Sequence, residues 1–203
     1  MSETMNKIAC ILGLLVLGSP AAAQTPSSAI IDDQVLAQIR EWLVVPVVSL
    51  TLEAQNERYT DLGSADIDRL DTQWRAEREA KEQPLIASTL NNPLSTYLTQ
   101  VQAASAGLFT EIFVIDAKGL NAGQSSITSD FWQGDEAKFQ KTYDVGPGAV
   151  FIDDPEFHDP TGTWRAQANL TLMDTSGQSI GAATVEVNLT ELARRKAIKK
   201  GAN

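Results

Sequence analysis

"TWRAQANLTLMDTSGQSIGAATVEVNL", residues 163–189, decides the fold. Its first half alternates. Trp164, Ala166, Ala168, Leu170 and Leu172 fall on one face of an extended chain, and Arg165, Gln167, Asn169 and Thr171 on the other. A period of two is the mark of a strand with one apolar and one polar face. "TSGQ", residues 175–178, is turn chemistry, and "SIGAATVEVNL" runs back as the partner of a hairpin. Two antiparallel strands joined as a hairpin are therefore expected. Upstream, "EIFVI" (111–115) reads as a buried strand, "DAKG" (116–119) as a turn, and "LNAGQ" (120–124) as a returning strand. "GAVFI" (148–152) is a further strand, and a short helix is expected over roughly Asp135 to Tyr143.

Before residue 107 the period changes to that of helices. Ile31, Val35, Ile39, Trp42 and Leu43 recur at spacings of three and four. The apolar pattern continues to Leu52, so one long helix, bent at Pro46, is expected to about Arg58. A second helix is expected to start with Ser64 as its cap and to end before Pro84, which closes the segment. A third is expected from Pro93 to Ala104. Helices first, then mostly adjacent strands with one inserted helix, describe an α+β domain with an antiparallel sheet.

The ends carry separate signals. Lys7, the apolar run "IACILGLLVLG" (8–18) and "SPAAAQT" (19–25) read as a signal peptide, 1–23, cut between Ala23 and Gln24. Such cleavage removes Cys10, the one cysteine of the 203-residue chain, so no disulfide is expected. The formal charge is −10, which makes nucleic acid a poor partner. "ARRKAIKK" (193–200) runs against that balance, with five basic residues and no acid. It reads as the solubilising end of a helix.

Four stretches together carry a resemblance: "FVIDAKGLNAG" (113–123), "TSDFWQGDEAKFQKTY" (128–143), "FIDDPEFHDPTGTW" (151–164) and "MDTSGQSIGAATVEVNL" (173–189). They resemble the Cache (PDC) domain, the PAS-like extracytoplasmic sensor domain of bacterial receptors. The resemblance implies a five-stranded antiparallel sheet with a long N-terminal helix on one face. On the other face it implies a small-molecule pocket walled by the short helix and the loops after it. The expected organisation is a helical region over 24–107, a sensor core over 108–192 and a basic tail over 193–203. Ala137 stands where the amino-acid-binding members carry a carboxylate-gripping arginine. The chain stops just after its last strand, so signalling through a partner, such as a membrane receptor, is expected rather than signalling alone.

Candidate ligand-binding residues follow from aromatic rings set beside charges, a combination that suits a pocket. They are Trp132, Lys138, Phe139, Tyr143, Asp153, His158, Asp159, Arg165 and Gln167. Trp132, Glu136, Phe139 and Tyr143 share one side if a helix begins at Trp132. Phe139 reads first as packing. "DDPEFHDP" (153–160) reads as a pocket rim; it lacks the alternate spacing and glycine of a calcium loop. No metal, cofactor or catalytic residue is assigned. The sign of the ligand stays open: Asp153, Asp154 and Asp159 suit an amine, whereas Lys138, Arg165 and His158 suit a carboxylate. A soluble periplasmic or secreted protein that binds a small molecule is the first reading. A ligand-free interaction scaffold is the second.

Overall fold

A computed structural model describes residues 25–201. The expected signal peptide, 1–23, lies outside the described residues.

The first expected helix is two. α1 spans Asp33–Leu43, and Asp32 caps it by accepting from the Val35 amide at 3.2 Å. α2 spans Pro46–Arg58 and leaves α1 at 67°. Proline has no N–H for the carbonyl four residues back, and its ring collides with that turn. The Trp42 carbonyl that Pro46 leaves free instead accepts the Tyr97 hydroxyl at 2.8 Å. α3 spans Ser64–Glu77. Its N-cap is Gly63 and not Ser64, and no side chain caps it. Pro84 does not close the helical region. It opens α4, Pro84–Leu90. The buried Glu77 carboxylate accepts the Leu85 and Ile86 amides at 2.8 and 2.9 Å, which supplies the cap that Gln83 does not. α5 spans Pro93–Ala104, as expected, with Asn92 capping Ser95 at 2.8 Å. No single helix among the described residues is long and apolar enough to cross a membrane.

Six strands form where five were expected: β1 Phe109–Asp116, β2 Asn121–Gln124, β3 Val150–Ile152, β4 Glu156–His158, β5 Thr163–Met173 and β6 Ser179–Asn188. The sheet is antiparallel, in the order β2-β1-β6-β5-β3, with β4 also pairing β5. The added strand is β4. It comes from the acidic segment read as a rim, and it pairs Glu156 with Arg165 and His158 with Thr163. The inserted helix, α6, is shorter than expected and spans Ala137–Gln140. After β6 the chain continues directly into α7, Leu189–Gly201, whose Leu189 and Leu192 are buried.

Alternation along β5 holds. Ala166, Ala168, Leu170 and Leu172 join Ile112, Val114, Ala183, Val185 and Val187 in the main core, under α1, α2 and α5. Close approach is built in. A Cβ placed on Gly181 would lie 2.2 Å from the Ile115 carbonyl oxygen and 3.1 Å from the Leu52 side chain. A second cluster of Trp74, Ile86, Leu120 and Phe131 holds α3 and α4 to the sheet end, with Trp74 and Phe131 stacked at 5.2 Å. On the opposite sheet face, Phe139 and Tyr143 stack at 4.9 Å and cover Phe113, Ile115 and Ala182. That cover stops short of Arg165, Gln167 and Glu186.

Candidate functional site

The uncovered end of the polar sheet face is a cavity of about 220 Å³. β5 supplies Arg165 and Gln167, and β6 supplies Glu186. Register explains the grouping. Gln167 faces Glu186 across the pair, and Arg165 lies two residues back on the same face. Asp153 and Asp154 follow β3, Glu156 opens β4, and Glu136, Ala137 and Lys138 enclose the cavity from α6 and its approach. The Asp153 amide donates to the Gln167 carbonyl at 2.9 Å, which fixes this loop against β5.

The charges are unevenly matched. Lys138 Nζ lies 2.8 Å from Glu136 Oε2 and 3.2 Å from Gln133 Oε1. Arg165 Nη1 lies 2.8 Å from Glu186 Oε2, and the Thr110 hydroxyl donates to the same oxygen. Both cations are thus paired and largely buried. Asp153, Asp154 and Glu156 form no ion pair among the described residues. Beside this group, Glu111 is held above the usual carboxylate range. Burial is the main cause; the Ser126 hydroxyl donating at 2.8 Å opposes it, and nearby Glu186 adds to it.

The candidate residues divide. Lys138, Asp153, Arg165 and Gln167 meet at the cavity. Trp132, Phe139, Tyr143, His158 and Asp159 do not line it. No helix begins at Trp132, so Trp132, Glu136, Phe139 and Tyr143 do not share a helix side. The Trp132 indole donates to the Lys118 carbonyl at 3.0 Å, its backbone bridges Leu120, and its amide donates to the Asp71 carboxylate at 3.1 Å. This ring belongs with the second cluster. Phe139 is buried and pins α6 to the sheet, and Tyr143 stacks on it. Burial raises the Tyr143 hydroxyl pKa above its ordinary value. His158 Nδ1 sits 2.8 Å from the Thr161 hydroxyl, and Asp159 is exposed in the turn that follows. Among the described residues, no group of three or more histidine, cysteine or carboxylate side chains is placed to hold a metal ion.

Glu186 escaped the sequence reading, although the signal was present. It stands between Val185 and Val187, both core residues, and so belongs to the polar face. Asp154 and Glu156 lie in the acidic stretch already singled out, and Glu136 joins them only because α6 and its approach enclose the same cavity.

No family model matches the chain, and no curated protein matches it. Solved structures do. One is the ligand-binding domain of the Pseudomonas aeruginosa amino-acid chemoreceptor PctC in complex with GABA, 15% identical, covering 78% of this chain and 62% of that one, with a TM-score of 0.37. Another is the sensory domain of the Campylobacter jejuni chemoreceptor Tlp3, 11% identical, covering 78% and 63%, with a TM-score of 0.39. A third is the sensor domain of the V. cholerae histidine kinase DctB, 15% identical, covering 79% and 58%, with a TM-score of 0.37. The chain spans less than two thirds of each. These neighbours are sensor or ligand-binding domains of chemoreceptors and a histidine kinase.

Proposed function

We propose that this chain is an extracytoplasmic sensor domain that binds a small amine at the cavity between α6 and the β5–β6 face. One observation carries the choice of an amine. Lys138 and Arg165 are each held by a carboxylate, whereas Asp153, Asp154 and Glu156 have no cationic partner. An ammonium group entering there completes the pairing; a carboxylate would add to an existing excess of negative charge. The small volume favours a short ligand. The sequence resemblance to Cache domains supports the sensing role. The signal-peptide pattern supports export, with Gln24 as the mature N-terminus. The occupied state would then pass to a protein partner such as a membrane receptor.

Thermal-shift and calorimetric titrations with ethanolamine, 1,4-diaminobutane, acetate and succinate test the ligand class. The expected result is saturable binding of an amine, with about 2.7 kcal/mol of added stability at 100 times its dissociation constant. Asp153→Asn and Glu156→Gln should each weaken that binding about tenfold, the worth of one charged hydrogen bond. A preference for the carboxylates would overturn the amine assignment. No binding of either class would favour the ligand-free scaffold instead.

A further inference from the structure

The α1–α2 break leaves a second cleft on the opposite face of the sheet, with a volume of about 410 Å³. It is independent of the amine site. Its floor is apolar: Val48 of α2 with Leu170 and Leu172 of β5. Its mouth is also apolar. Val44, in the break itself, is 80% exposed, and Met173 is 46% exposed. Side chains of that kind at the edge of an open cleft leave apolar surface in water. The volume lies within the range of about 300–1,000 Å³ typical of small-molecule sites, which are mostly apolar with a few placed polar groups.

The charge at the rim selects the ligand. Arg40 lines the cleft from the last turn of α1 and has no carboxylate partner among the described residues. One carboxylate, Asp174, also lines it. Asp174 Oδ1 is taken up by its own turn, accepting the Ser176 amide and hydroxyl and the Gln178 amide at 2.7–2.9 Å. We infer that this cleft binds a small amphipathic carboxylate, with its hydrocarbon part between α2 and β5 and its carboxylate on Arg40. Apolar walls hold the hydrocarbon by excluding water, and the guanidinium orients the head group.

Calorimetry of the chain with sodium octanoate and with octan-1-ol tests this. Octanoate should bind saturably at one site. Arg40→Gln, a change on an exposed side chain, should weaken octanoate about threefold, the worth of an exposed ion pair, and leave octan-1-ol unchanged. Ser49→Phe puts a ring into the cleft from the α2 side and should abolish binding of both; circular dichroism and a denaturant melt of that variant establish that it folds. Three results would overturn the inference: no saturable octanoate binding, Arg40→Gln leaving octanoate affinity unchanged, or sedimentation showing that the apolar mouth is buried between two copies of the chain.

Discussion

Trp132 packs between two glycines. A Cβ on Gly134 would come within 2.5 Å of its indole nitrogen, and one on Gly119 within 2.9 Å; Gly119 also holds a positive φ of 84° that few other residues adopt. With its N–H bonded to Lys118 and its backbone bridged to Leu120, this ring fixes the loop between β2 and α6. Trp132→Ala should therefore cost about 2–4 kcal/mol of stability, since truncating a packed aromatic loses both contact and transfer energy. Denaturant melts beside amine titrations give the check: full stability with impaired binding would return Trp132 to the ligand site. Sequence could not separate these roles, because a ring among polar neighbours looks the same whether it stacks on a ligand or on glycine backbone. Arg165 and Gln167 were legible for a different reason. Their face was set by the parity of β5, which needs no tertiary information.

Helix α3 shows what local pattern can and cannot place. Ser64 followed by acids was read as a start, and the helix does start there, but Gly63 occupies the cap position with extended backbone, φ −89° and ψ 173°. A cap is defined by one residue's dihedrals, and a one-residue difference is beyond the resolution of a sequence pattern. The position is open to improvement. A Cβ at Gly63 meets nothing within 4 Å, and its backbone suits serine. Gly63→Ser should add about 0.3–1 kcal/mol by giving the first-turn amides an acceptor and by restricting the unfolded chain. A midpoint shift in urea with an unchanged slope would bear this out; no shift, or a loss, would mean that the serine does not cap. Pro84 was misread because proline both ends and begins helices. What decides is Glu77, seven residues earlier, whose carboxylate meets the new amides of α4.

At the scale of the whole molecule, the β1–β2 and β5–β6 hairpins were accessible from alternation and turn chemistry and the helix-covered face from the family resemblance, whereas the order that sets β6 beside β1 rests on tertiary pairing. The cavity's charge balance was not accessible, since Glu136, the Asp153–Glu156 stretch and Glu186 come from three separate parts of the chain. Buried acid also links the fold to pH. The folded state raises the Glu111 pKa, mainly through burial, and so holds that proton more tightly than the unfolded chain. This contribution to stability is fully present below the unfolded pKa and is lost as pH rises through the folded one. Glu111→Gln removes that loss. Relative to the parent, the variant should gain stability near pH 7.5, and the gain should shrink toward about pH 4. Urea melts across that interval decide, and a pH-independent difference would sink the account. Strand β5 has one more consequence. Ala166, Ala168, Leu170 and Leu172 build the core and Arg165 and Gln167 line the cavity proposed to take an amine, so a slip of one position would send Arg165 and Gln167 under the helices and Leu170 and Leu172 into the polar face. Binding competence and foldedness thus share a single bit of information, and a chain that misreads it forfeits both rather than persisting as a well-packed decoy with a blind site.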